Sequence, residues 1–242
     1  MRWTEHYRVG VNDTDLSRVA SASALMRYMQ DTADLQMEGQ RPSYLELFDR
    51  GYAFVLARFR LRSYAPLFSH DEITSETWAT PSHGFLFGRC YRLLQGGEPV
   101  AEADAVWALV NLKTGRPTRV GEVPLGYAED EPLDLGDLPP RVRIPAELPL
   151  ALVGEHTVTY AEADVNRHLN NTVYADLFCG FLPMEGFRVS SLLLSFIAEA
   201  PLGETVKVYR GDLEGVSYFR TIRTDGSVNA EAAITLAPLE EL

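Results

Sequence analysis

Two cysteines in 242 residues, Cys90 and Cys179, are too few for a disulfide framework and lack zinc-ligand spacing. No apolar run approaches the roughly 18 residues that a membrane helix needs. The opening Met1-Arg2-Trp3-Thr4-Glu5 has no hydrophobic signal-peptide core, so a cytoplasmic protein is expected. Positive charge is scarce as well. At a formal net charge of −12 the chain lacks the field that nucleic acid or an anionic membrane requires, and neither is expected as a partner. Only Lys113 and Lys207 are lysines, so nearly all the cations are arginine, the side chain suited to bidentate contact with carboxylate or phosphate. His6, His70, His83 and His156 are scattered, and no metal or cofactor is expected. Core material is ample: 46% of residues are hydrophobic and 10% aromatic, enough for one large domain or two modest ones.

One stretch concentrates chemistry. Asp164-Val165-Asn166-Arg167-His168-Leu169-Asn170-Asn171 sets a carboxylate, amides and an imidazole just before an apolar helical pattern. An offset of 149 residues lays Asp15 on Asp164, Arg18 on Arg167 and Leu25 on Tyr174. The upstream copy is chemically blank, with Ser17, Val19, Ser21 and Ala22 in place of Asn166, His168, Asn170 and Asn171. A scaffold repeated with its reactive side chains in one copy predicts one working site and one structural half.

The repeat continues along the chain. In residues 21–38, Ala22, Leu25, Met26, Met29 and Ala33 form the stripe of a helix buried on one side, capped by Ser21 or Ser23. Residues 171–182 are apolar all round and stop at Pro183, which predicts a second, more deeply buried helix. Period-two runs follow each helix, at residues 56–62 and 205–209, and Gly96-Gly97 and Asp225-Gly226 supply hairpin turns. The offset has then fallen to 129, because residues 39–54 add a connection with a short helical pattern at Tyr44, Leu45 and Phe48. Residues 124–149 carry six prolines and an acidic run of Glu129, Asp130, Glu131, Asp134 and Asp137, the composition of an extended linker. The expected organisation is a first unit over 1–124, a linker over 125–149 and a second unit over 150–242. The class is α+β, with two long helices each wrapped by an antiparallel sheet and the sheets joined edge to edge.

Asp164-x-Asn166-x-His168-x-Asn170-Asn171-x-x-Tyr174, followed by Leu194-x-Phe196-x-x-Glu199, resembles the acyl-acyl-carrier-protein thioesterases of plants and bacteria. Gln30-Asp31, the residues 71–78, Trp107 and Arg116-Pro117 extend the resemblance over nearly the whole chain. It implies a tandem (double) hotdog fold and hydrolysis of acyl-carrier-protein thioesters, with acylated phosphopantetheine and a fatty acyl chain as the groups bound. Carried over by position, Asp164, Asn166, His168 and Glu199 are the implied catalytic residues. Where plant members have a cysteine after that glutamate this chain has Ala200, which excludes a thiol nucleophile there. A tryptophan of the family is replaced by Leu177, which alters pocket shape rather than chemistry.

A thioester carbonyl is already electrophilic, so hydrolysis needs a positioned base, a stabilised oxyanion and a dry acyl pocket. Asp164 or Glu199 would take a proton from water or attack directly. Asn166 would hold the water or the carbonyl, and His168 would orient a carboxylate or protonate the departing thiolate. Asn170 and Asn171, at an expected helix start, would help polarise the carbonyl, against the plainer reading of both as caps. Tyr174 is a further candidate to contact substrate. Met26 and Met29 fit core packing and are also candidates to line an acyl tunnel. Cys90 and Cys179 read as small core residues. Arg58, Arg60 and Arg62 share one sheet face, suited either to solvent or to the phosphate and acidic helices of a carrier. Acyl-coenzyme A hydrolysis, acyl-thioester hydration and non-catalytic acyl binding are the rival functions. The quaternary state stays open between a homodimer and a single chain whose double unit already supplies the pairing.

Overall fold

The computed structural model of the chain describes residues 2–136 and 138–239; Met1, Asp137 of the linker's acidic run and residues 240–242 lie outside it. Its first half runs β1 (Trp3–Arg8), α1 (Ala22–Glu38), α2 (Tyr44–Asp49), β2 (Tyr52–Ser63), β3 (Glu72–His83), β4 (Leu86–Gln95), β5 (Glu98–Asn111) and the short β6 (Arg116–Pro117). The second half runs β7 (Ala151–Thr157), α3 (Val173–Cys179), β8 (Phe187–Phe196), β9 (Thr205–Leu213), β10 (Val216–Ile222) and β11 (Val228–Pro238). One sheet contains every strand, in the order β1-β3-β4-β5-β2-β8-β11-β10-β9-β7, with β6 on β5. The order is palindromic, so the halves are related by a pseudo-twofold at the β2–β8 seam. There Phe59 pairs with Leu194 and Leu61 with Leu192, all four fully buried, and each half covers what would otherwise be the other's open edge.

The hydrophobic stripe of α1 produces a helix of 17 residues, capped where Ser21 Oγ accepts the Ala24 N–H at 3.2 Å. It packs on β1 and β3 and touches α3. The second helix departs from expectation. α3 has only seven residues, and it buries Tyr174, Ala175 and Phe178 where α1 buries eleven residues. Its start is delayed because Asn170 first makes a turn, accepting the N–H and hydroxyl of Thr172 at 2.9 Å each. Its end is tightened by the Phe181 N–H to Phe178 O and Leu182 N–H to Cys179 O bonds just ahead of Pro183. Only the first half therefore has a long helix, and that helix is the more deeply buried of the two.

The linker crosses the outer face of the sheet. Leu133 and Leu135 cover Trp78 and Cys90, Trp78 Nε1 donates to Glu131 O at 2.8 Å, and the Val142 N–H donates to Ser195 Oγ at 2.9 Å. The arginine row lies on this face, because its neighbours Phe59 and Leu61 point into the core. Arg60 is held by both oxygens of Asp104, at 2.8 and 2.6 Å. The row faces away from the helices, and Asp104 ties its middle member to the sheet. Among the described residues no helix is long and apolar enough to cross a membrane.

Candidate active site

Two loops of one design precede α1 and α3. In the first, Asp15 Oδ1 accepts the N–H groups of Ser17 and Val19 at 2.8 and 3.2 Å. In the second, Asp164 Oδ1 accepts those of Asn166 and His168 at 2.8 and 3.1 Å. Arg18 and Arg167 both adopt the left-handed conformation, with φ of 63° and 65°, which closes the turn at a cost of about 1 kcal/mol each. A carboxylate kept with the same bonds in both copies is a scaffold device. Asp164 thus has one oxygen committed to the backbone, and its other oxygen lies 3.5 Å from Asn166 Nδ2.

Backbone pairing brings the glutamate to this loop. His168 forms a bridge with Pro201, the Leu169 N–H donates to Ala200 O at 2.8 Å, and the Leu202 N–H donates to Arg167 O at 2.8 Å. That register sets Glu199 beside the imidazole, with Oε2 3.2 Å from His168 Nε2. The first half builds the same bridge between Val19 and Phe68, with the Ala20 N–H on Leu67 O at 2.8 Å. Its equivalent of Glu199 is Pro66. Both members of the pair are therefore replaced, His168 by Val19 and Glu199 by Pro66, on the same backbone bridge.

A cleft of about 400 Å³ runs between the second-half loop and the first-half wall. Asp164, Val165, Asn166, Asn170 and Asn171 line one side; α1, α2, β2, β4 and β5 supply the other through Met37, Tyr44, Phe54, Phe87 and Trp107. His168 and Glu199 stand outside this lining, and Glu199 is largely open to solvent. Met26 and Met29 are fully buried in the core and line no part of the cleft; Met37, further along the same helix, takes that place. Tyr174 is buried too, its hydroxyl donating to Asn229 Oδ1 at 3.0 Å, so its contacts are structural. The start of α3 offers no oxyanion site through the Thr172 N–H, which Asn170 Oδ1 already occupies.

Tyr44 was not expected here. It lines the cleft from α2 opposite Asp164 and Asn166; burial raises the pKa of its phenol, and the carboxylates of Asp34 and Asp164 raise it further, against the pull of Asn166. Its only sequence signal is a short helical pattern after residue 39. Burial pushes the Cys90 thiol up to about 11 and the Cys179 thiol up to about 12, which leaves neither as a thiolate nucleophile near neutral pH.

Two fused hotdog units, with a histidine–carboxylate pair in one and its place blank in the other, define the class of protein. The fold is shared with an acyl-ACP thioesterase from Bacteroides thetaiotaomicron, at a TM-score of 0.83 and 18% identity over 98% of each chain. It is shared equally with the 12:0-ACP thioesterase of Umbellularia californica, at 0.82 and 17% over 98% of each chain. Sequence models of the acyl-ACP thioesterase N-terminal and C-terminal domains match residues 1–123 and 151–237, and the chain belongs to that family. The chloroplastic palmitoyl-acyl carrier protein thioesterase of Arabidopsis thaliana is 23% identical over 80% of this chain. The chain spans about half the length, 50%, of that curated relative.

Proposed function

We propose that the protein hydrolyses acyl-acyl-carrier-protein thioesters to a free fatty acid and the carrier's thiol. The carrying observation is the 3.2 Å contact of His168 with Glu199 beside a cleft with an aromatic and aliphatic wall, in the one half where neither residue is blanked. In this reading the acyl chain enters the cleft and the thioester sits at its mouth. Glu199 takes a proton from water as the water oxygen bonds to the carbonyl carbon. Asn166 donates its amide N–H to the oxygen that gains negative charge. The C–S bond then breaks with its electron pair on sulfur, and the proton passes from Glu199 through His168 to the thiolate. Asp164 positions the loop and does not act as the base. The free, largely buried Cys90 and Cys179 suit a reducing compartment, for which we propose the cytoplasm. The duplicated unit supplies internally the pairing that a homodimer would otherwise provide.

Steady-state hydrolysis of acyl-carrier-protein and acyl-coenzyme A by purified protein, with product acids identified by mass spectrometry, tests this directly. The carrier thioester is expected to be the better donor. Glu199→Gln and His168→Ala are each expected to lower kcat by about 10²- to 10⁴-fold while acyl binding persists. Full activity in either variant would remove the dyad from the mechanism, and a preference for coenzyme A would move the reading to that donor.

A further inference from the structure

Asp34 lies on α1 one turn beyond Gln30, on the first-half wall of the cleft, among Ala33, Met37, Phe54 and Phe87. Its carboxylate has no hydrogen-bond or ion-pair partner among the described residues. The nearest cation on this wall, Arg89, directs its guanidinium to Gln36 Oε1 at 2.5 Å and Thr77 Oγ1 at 3.1 Å. Gln30 Nε2 and Trp107 Nε1, on two other lining residues, are buried without partners. A plain hydrocarbon chain laid on this wall would strip water from an ionised carboxylate and give it nothing in return, which is unfavourable. A chain carrying a hydroxyl group at that point would supply the missing donor.

We propose that the cleft selects acyl chains bearing a hydroxyl group near the thioester, with the Asp34 carboxylate accepting the hydroxyl's hydrogen bond. This rests on the reading that the cleft holds the acyl chain of a hydrolysed thioester. The position along the chain follows from the cleft itself, whose lining brings Asp34 and Tyr44 on one side together with Asp164 and Asn166 on the other. The groups facing Asp34 are Asp31 and Glu38 on its own helix, Arg89 and Tyr91 from β4, and Tyr44 from α2, with Tyr127 and Asp164 lining the same cleft. Asp34 is exposed at the cleft; the cleft walls around its carboxyl, and then Asp31, raise its pKa to about 6 against the opposing pull of Arg89. The ionised carboxylate disfavours a plain chain more than the neutral acid does.

The experiment compares 3-hydroxyacyl and unsubstituted acyl thioesters of equal length on the same carrier thiol. At pH 8 the hydroxylated substrate is expected to have the larger kcat/KM by about tenfold, the scale of one hydrogen bond to a charged group. The ratio should shrink as pH falls through about 6. Titrations in the reacting groups act on both substrates and cancel in the ratio. Asp34→Leu should bring the ratio to one or below, mainly by improving the plain chain. Calorimetric binding of the two free acids to the unaltered protein gives the same comparison without a variant, the hydroxy acid binding about tenfold more tightly. Equal kcat/KM values at pH 8, equal affinities for the two acids, or a ratio that survives Asp34→Leu would overturn the selection by Asp34 while leaving hydrolysis intact. Hydrolysis of neither substrate would overturn the underlying reading and this inference with it.

Discussion

Asp15 and Asp164 carry equivalent bonds on equivalent loops, but only one of these loops faces a histidine–glutamate pair. If the aspartate is a scaffold device, its removal should cost similar stability in both copies. Asp15→Ala and Asp164→Ala are each expected to lower the unfolding free energy by about 2 kcal/mol, from two lost bonds to a charged acceptor. Urea titration measures this, and rates measured alongside should fall for Asp164→Ala far more than for Asp15→Ala. A stability loss confined to Asp164→Ala would end the common-scaffold account. At this scale His168 stood out because its blanked copy, Val19, lies in the same chain for comparison, whereas Glu199 was reached only through the family resemblance. The cleft-lining side chains were less legible: Met26 and Met29 share the apolar stripe with Met37, and the stripe alone does not say where the sheet ends and the cleft begins.

The helices divide the work by length. α1 is long enough to reach from the core, at Met26 and Met29, to the cleft, at Gln30, Asp34 and Met37. α3 is too short for the equivalent reach. A hollow of about 200 Å³ still marks the matching position in the second half, lined by Asp15, Ala20, Asp176 and Cys179. The shortness of α3 was hidden in the sequence because a run that is apolar all round does not distinguish helix from tight turns, and because Asn170 takes the Thr172 N–H. α2 is a different case. Its six residues stand on a capping box in which Ser43 and Glu46 bond reciprocally, at 3.3 and 2.9 Å, and it presents Tyr44 to the reactive loop. Ser43→Ala should destabilise this helix by about 1 kcal/mol. Hydrogen exchange at the Leu47 and Arg50 amides is expected to speed up about fivefold if the helix opens locally, with a raised KM for the acyl substrate. Unchanged exchange would mean that packing of the buried Leu47, rather than the cap, holds α2 in place.

At the scale of the molecule the question is whether duplication gives two folding units or one. The repeat offset identified the two copies and their hairpins, and edge-to-edge joining followed from the need to protect open edges. The choice of β2 and β8 as the joining strands was not legible, since period-two alternation assigns faces but not neighbours. That choice has an energetic consequence. Phe59, Leu61, Leu192 and Leu194 belong to one buried cluster that also holds residues of α1, α3 and the outer strands of both halves, so neither half can unfold without exposing the other's core. One cooperative transition is therefore expected. The placement of tryptophan makes it measurable: Trp3, Trp78 and Trp107 all lie in the first half, so their fluorescence reports that half alone, while far-ultraviolet circular dichroism reports both. Leu192→Ala, a cavity on the second-half side of the seam, should cost about 3 kcal/mol. Its effect should reach the tryptophans in full, lowering the urea midpoint by the same amount in both signals. A circular dichroism transition that begins well before the fluorescence changes would show a second half melting on its own, and the seam would then be a contact between domains rather than the centre of a shared core.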